Sequence, residues 1–318
     1  IKKTNKIPGY LSLIHYFSIG HGTVLHNPCV DKAETVSNLI SISKASADSQ
    51  RVSIQTWQKS LIEILIKKKN LLKPNYQGVF KLKDLNKENI KESIKLKSLK
   101  PIGHSIFGFE SLIRINFKEL EKILGHNSPM YMSPHSLNPE ALFSMAKITR
   151  LSLELDQKCV NLSAEHFQGI PGQLMANILP RNLYYIDKIK ENLDKSESII
   201  LEISETEAIK NIEHILEIKR IIAKNKFQIA IDDFGKGYAG MDRIIQIKPD
   251  IIKLDRCLIQ NIHKDKPKRE LVSGLVKAAQ ITKSKIIAEG IELLEELLII
   301  KELGVHLAQG YLLHKPEE

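Results

Sequence analysis

Eight polar side chains in this sequence each fall within or just after an apolar run, with the adjacent Asp232 and Asp233 sharing one. They are Glu110, Asn177, Glu202, Asp232, Asp233, Lys253, Glu289 and Gln309. A charged group buried alone is strongly unfavourable unless it is paired or bound to a metal, so this recurrence implies that the side chains meet. Three carboxylates (Glu110, Glu202, Asp232) and an amide on separate segments make a hard, oxygen-rich set. Such a set suits Mg²⁺ or Mn²⁺ rather than zinc. The neighbouring Asp232 and Asp233 can bridge or flank two ions and lower the pKa of a bound water. A cation cluster calls for an anionic substrate, and metal-assisted hydrolysis of a phosphoester is the natural reaction class. Lys253 can stabilise the attacking hydroxide or the charge developing on phosphorus, and Glu289 can assist a second ion or take a proton. Taken singly, an Asp-Asp pair is more often a turn or a cap and a strand Glu an ion-pair partner. The joint pattern carries the reading.

The elements that must position these groups are short runs rich in Ile, Leu and Val that alternate with amphipathic helical stretches beyond Ser98. This alternation indicates β-α units. Strands are expected at Phe107–Ile115, Gln173–Leu179, Ser198–Ser204, Gln228–Phe234, Ile251–Asp255, Lys285–Gly290 and His306–Leu312. They are apolar on both faces, as buried parallel strands are. In an α/β barrel of the (β/α)8 type the carboxyl ends of the strands converge on one mouth, which would bring the eight polar groups together.

The order of motifs resembles the EAL-domain family. Phe107-Gly-Phe-Glu-Ser-Leu-Ile-Arg114 is similar to the signature that names it, with Ser111 in place of Ala. Leu201–Glu205, Ile231–Tyr238, Ile252–Arg256, Ile287–Glu292 and Ala308–Leu312 follow at similar spacings. The resemblance spans about residues 98 to 315 and implies a TIM-like barrel that linearises cyclic di-GMP to pGpG with one or two Mg²⁺ or Mn²⁺ ions. By the same resemblance Glu110, Glu202 and Asp232 are metal ligands, and Asp233 is a ligand of the second ion. Lys253 and Glu289 lie around the attacking water, and Glu205 steadies the loop after Asp232. Leu112, Arg114 and Gln309 face the nucleotide, while Asp255 and Glu292 line the mouth. The family also draws a ligand from an Asn on its second strand, usually in Asn-Leu-Ser. Here Asn161-Leu-Ser163 falls in a helical pattern from Pro139 to Phe167 that contains no Gly and no further Pro. Asn177 ends the strand-like run after the Gly169–Gly172 turn, so Asn177 is the expected ligand. Ca²⁺ is expected to inhibit, since it prefers longer bonds and more ligands. The sequence departs from the family at Lys100, where a Gln is usual, and at Lys236, where a small residue is usual. The stretch from Asn116 to Asn138 is longer, and that from Asn177 to Glu202 shorter.

Residues 1–97 are expected to form a separate, mostly helical region ahead of a barrel at 98–318. Helices are expected at Asp31–Ala47 and Ser53–Leu72 with a polar break at Ser46–Gln50, and a helical connector at Asp84–Leu96. Before Ser98 there are 17 basic and 7 acidic residues, which accounts for the whole formal charge of +10. Such a basic lobe is usually a solvated face, but it also leaves open attraction to nucleic acid or an anionic surface. The alternative to an enzyme is thus a non-catalytic cyclic di-GMP receptor whose N-terminal region binds protein or nucleic acid. No apolar run reaches the roughly 20 residues of a membrane span, and no secretory leader is expected. Cys29, Cys159 and Cys257 lie too far apart for a zinc or disulfide pattern, which suits a reducing cytoplasm. The resemblance further implies a homodimer formed through the barrel.

Overall fold

The computed structural model describes residues 32–96, 98–124, 137–185, 199–205, 213, 216–217, 219–220, 227–236 and 246–317. Cys29, the stretch up to Asp31, Tyr238 and parts of the two connections of unusual length lie outside these residues. Among them the elements run α1 (Lys32–Lys67), β1 (Leu72–Lys81), α2 (Lys87–Leu96), β2 (Ile106–Ile115), α3 (Phe117–Leu124), α4 (Pro139–Ile148) and α5 (Ser152–Phe167). There follow β3 (Gln173–Asn177), β4 (Ile200–Ser204), β5 (Gln228–Phe234), β6 (Ile251–Leu254), α6 (Arg256–Ile259), α7 (Lys266–Thr282), β7 (Lys285–Ala288), α8 (Leu294–Glu302) and β8 (Leu307–Ala308). The eight strands close into a barrel in sequence order. β2 to β8 are parallel, while β1 runs antiparallel to both neighbours.

The expected barrel is therefore present, but its first strand lies earlier than the sequence suggests. Leu72–Lys81 lies inside the region expected to be mostly helical, yet it pairs with β2 along nearly its whole length. Pro74 and Gly78, both depleted in strands, mask it. Pro74 is tolerated because β1 meets β8 only at Phe80 and Lys81, which spares the missing N–H a ladder partner on that side. By backbone contacts the barrel unit comprises residues 68–139 and 152–318, which includes β1. Among the described residues the other compact unit contains Lys32–Lys67 together with Glu140–Leu151. Within it α1 is continuous through Ser46–Gln50, where polar residues cost a helix only tenths of a kcal/mol each and neither Gly nor Pro interrupts (roughly 0.5 per residue). The helical stretch from Pro139 to Phe167 is in fact two helices. Arg150 adopts a left-handed conformation (φ 62°) between them.

One residue from each strand fills the barrel. Val79, Phe107, Met175, Ile200, Ala230, Ile251, Ile287 and Leu307 form a single buried layer. Burying side chains of this size contributes about 1.5–3 kcal/mol each. Because strand side chains alternate with a period of two, the same face reappears two residues on. Met175, Ile200, Ala230, Ile251, Ile287 and Leu307 are followed at that spacing by Asn177, Glu202, Asp232, Lys253, Glu289 and Gln309. On the antiparallel β1 the step is reversed, from Val79 back to Gln77.

Two bulges break this rhythm. In β2, Val79 pairs with Gly108 but Phe80 pairs with Ile106, so Phe107 is the extra residue. Phe107 and Glu110 can then both face inward, although an odd step of three positions separates them. In β5, Ile231 pairs with Ile252 and Phe234 with Leu254, leaving Asp232 and Asp233 opposite Lys253. Asp233 is left-handed (φ 57°). The bulge turns two adjacent carboxylates to one mouth, where a regular strand would point them to opposite faces.

Gly108 is required at the first bulge. A Cβ there would lie 2.2 Å from the Gln173 carbonyl oxygen on β3, and backbone cannot yield as a flexible side chain can. Gly108→Ala is expected to lower stability by about 1–3 kcal/mol, in the range of overpacked sites. A urea unfolding midpoint equal to that of the parent protein would refute this account of the bulge.

Candidate active site at the barrel mouth

Lys253 is the centre of the mouth. Its side chain is 1% exposed, and its ammonium lies 2.8 Å from Glu202, 2.9 Å from Glu289, 3.2 Å from Asp232 and 3.4 Å from Glu110. Four strand ends thus place four carboxylates around one cation. Glu110, Glu202 and Asp232 each present an oxygen within 4.8 Å of the others, and so do Asp232, Asp233 and Glu289. Asp232 belongs to both groups.

The amides complete this polar layer. Asn177 at the end of β3 directs Nδ2 to Glu202 Oε2 at 3.3 Å and to Glu110 Oε1 at 3.5 Å. Turning the amide over would put its oxygen in the same place, and the two orientations are distinguished only by what they bind. Gln309 donates to Glu110 Oε2 at 2.5 Å and to Gln77 Oε1 at 3.1 Å. The segment after Asn177 is held by Asp156 on α5, which is fully buried and accepts from Leu179 N and from Asn182 Nδ2. Asn161 is carried by α5, as its helical spacing predicts.

Most of the remaining expected residues also reach the mouth. Leu112, Asp255, Glu292 and Gln309 line a cleft of about 340 Å³ together with Lys253 and Glu289. Glu205 is buried and accepts from Gly235 N at 3.2 Å, which ties the end of β4 to the turn after Asp233. Asp255 caps α6 by accepting from Cys257 N. Arg114 does not line the cleft; it is exposed and donates to the Ile113 carbonyl. Sequence reasoning missed Gln77, Arg256 and Tyr311, which do line it. Gln77 was hidden with β1, although the pairing of Gln77 with Glu110 follows once that strand is known.

The model of the EAL domain matches residues 101–316. The chain belongs to the EAL domain family. Among relatives, the EAL chain is 29% identical over 221 residues to the Pseudomonas aeruginosa cyclic di-GMP phosphodiesterase RocR, covering 67% of this chain and 54% of RocR. It is 27% identical over 225 residues to the blue light- and temperature-regulated antirepressor BluF of Escherichia coli K12, covering 68% of this chain and 51% of BluF. The chain thus spans about half the length of these two relatives. A manganese and cyclic di-GMP complex of Klebsiella pneumoniae BlrP1 has the same fold, with a TM-score of 0.59 at 23% identity, over 78% of this chain and 57% of that one. No described helix of this EAL chain is long and apolar enough to cross a membrane.

The residues present fit a divalent cation. Four carboxylates against one ammonium leave an anionic excess at the floor of the cleft, where Glu202 and Lys253 are each 1% exposed and burial penalises the ionised carboxylate. The electrostatics express this. Burial, then the Glu110 and Asp232 charges, push Glu202 well above the usual carboxylate range despite Lys253. Burial pushes Glu289 up to about 8, with Lys253 opposing and Asp232 and Glu110 reinforcing. Burial alone would lower Lys253, but Asp232, Glu110, Glu202 and Glu289 hold it well above its ordinary value.

Glu289 titrates near 4.5 when unfolded and near 8 when folded, so between these values the ion-free native state binds more protons than the unfolded chain. Stability must then fall as pH rises through that window, and Glu202 acts in the same sense. Urea unfolding of the metal-free protein should show a loss of at least about 1 kcal/mol from pH 5 to pH 8. Mn²⁺ should restore most of it at pH 8. A flat profile without metal would contradict this electrostatic description.

Proposed function

We propose that this EAL chain is a divalent-metal-dependent phosphodiesterase that opens cyclic di-GMP to linear pGpG. The observation that carries the proposal is the convergence on Lys253 of four carboxylates from separate strands, arranged as two oxygen groups joined through Asp232. RocR, which bears that activity in its name, supports the reading. Glu110, Asn177, Glu202 and Asp232 would hold the first Mg²⁺ or Mn²⁺, and Asp232, Asp233 and Glu289 a second. A bound ion supplies water activation and charge neutralisation at phosphorus.

The chain's own groups account for the rest. Lys253, fixed by its four partners, keeps its proton and presents a positive charge where negative charge develops in the transition state. Glu289, 2.9 Å from Lys253, is placed either to assist the second ion or to take the proton of the attacking water. Gln309, which donates to Glu110 and to Gln77, and Gln77, which donates to the His314 carbonyl, present amides to the nucleotide, and Leu112 offers an apolar wall. Glu205 keeps the Asp232-Asp233 bulge in place through Gly235.

Incubation with cyclic di-GMP and Mg²⁺ or Mn²⁺ should yield pGpG, and Glu110→Ala or Asp232→Ala should lower the rate at least about 100-fold, as loss of a key electrostatic group does. Ca²⁺ alone should not support turnover. Tight retention of intact cyclic di-GMP by the parent protein with no pGpG would instead favour the receptor reading, the one that BluF, named an antirepressor, brings to mind. Asn177→Ala should sharply raise the metal concentration needed for activity, because the first group loses its neutral ligand. Asn161→Ala should leave activity close to that of the parent, since α5 carries Asn161 whereas Asn177 contacts Glu110 and Glu202. The reverse pattern would overturn the choice between the two asparagines.

A further inference from the structure

Directly after the Asp232-Asp233 bulge and the glycine turn at Gly235, this chain carries a lysine. The Lys236 ammonium lies 2.6 Å from Asp233 Oδ1 and 3.1 Å from Asp255 Oδ2. It therefore occupies one oxygen of a carboxylate that the second cation group requires, because Asp233 joins Asp232 and Glu289 in that group. The anchor on the other side is firm. Asp255 is nearly buried (9% exposed side chain) and is held by Cys257 N at 2.8 Å as the cap of α6. The lysine itself is 57% exposed, so its contacts are screened by solvent and can be broken. The first oxygen group is untouched by it, since Glu110, Glu202 and Asp232 turn to Lys253.

We propose that Lys236 is a tethered cation that stands in for the second divalent ion at Asp233, so that this chain binds one ion firmly and admits a second only when that ion displaces the ammonium. The proposal rests on the metal-dependent reading given above. It also assigns a role to the one residue of the Asp-Asp-Phe-Gly-Lys-Gly segment that departs from the family resemblance. A tethered ammonium at Asp233 neutralises charge without the coordination geometry of an ion, and it competes at high effective concentration because only two residues separate it from its partner.

Mn²⁺ binding to the whole chain, followed by isothermal titration calorimetry at low ionic strength, tests the proposal without relying on turnover. The parent protein should show one tight site and a second weaker one. Lys236→Met removes the charge and keeps the length, and should tighten the second site by about two- to fivefold while leaving the first unchanged, as loss of a solvent-screened competitor predicts. Lys236→Arg keeps the charge and should retain the weak second site. Added salt should narrow the difference between parent and Lys236→Met. If the parent and Lys236→Met bind two ions with the same affinities, Lys236 does not compete and the proposal fails, while the metal-dependent reading stands. If the parent binds no Mn²⁺ at all, and Asp232→Asn matches it, the metal reading fails and the proposal with it.

Discussion

An ammonium group can be almost wholly removed from water only where negative charge replaces the water, and Lys253 meets that condition four times over. The carboxylates come from β2, β4, β5 and the end of β7, so they surround Lys253 only if the barrel is closed and every register is correct. Charge compensation and topology are therefore one constraint. A slip of one residue in any of these strands would turn an acidic side chain to the outer face and leave the lysine short of a partner. The compensation also overshoots. Four acids about one base leave an excess that burial resists, and the raised Glu202 and Glu289 show the site's demand for further positive charge. Protons, a divalent ion and an ammonium such as Lys236 all answer the same demand.

The bulges show how the backbone serves that constraint. Regular alternation places Asn177, Glu202, Lys253, Glu289 and Gln309 one step above the apolar layer. It cannot place Glu110 three residues after Phe107, nor bring Asp232 and Asp233 to one side. Extra residues at Phe107 and at the Asp pair solve both problems, with Gly108 permitting the close approach of β3 and the left-handed Asp233 completing the turn. Glu205 then restrains the irregular segment through Gly235 N. In this region the non-ideal backbone belongs to the site rather than to the scaffold.

Much of this was legible in the sequence because it follows from alternation. Seven strands announce themselves as apolar runs, and the polar residue near the end of each run shows where the mouth lies. Asn177 could be preferred to Asn161 as the strand residue because helical periodicity and the Gly169–Gly172 turn separate the two. What escaped was whatever breaks alternation. β1 was hidden by Pro74 and Gly78, and with it went Gln77 and the true start of the barrel. The left-handed Arg150 that divides α4 from α5 left no mark, since arginine is not a residue that signals such a conformation. The continuity of α1 was missed because a polar cluster at Ser46–Gln50 looks like a loop when no partner face is known. The pairing of Lys236 with Asp255 joins residues 19 positions apart through a turn and a capped helix, and no local pattern encodes it.

The apolar layer from Val79 to Leu307 has a consequence for traffic. With one side chain from every strand packed across the lumen, the barrel is stoppered, and nothing as large as a nucleotide can pass along its axis. Whatever enters beside Lys253 must therefore leave on the side of the mouth, because the apolar layer closes the way through the barrel.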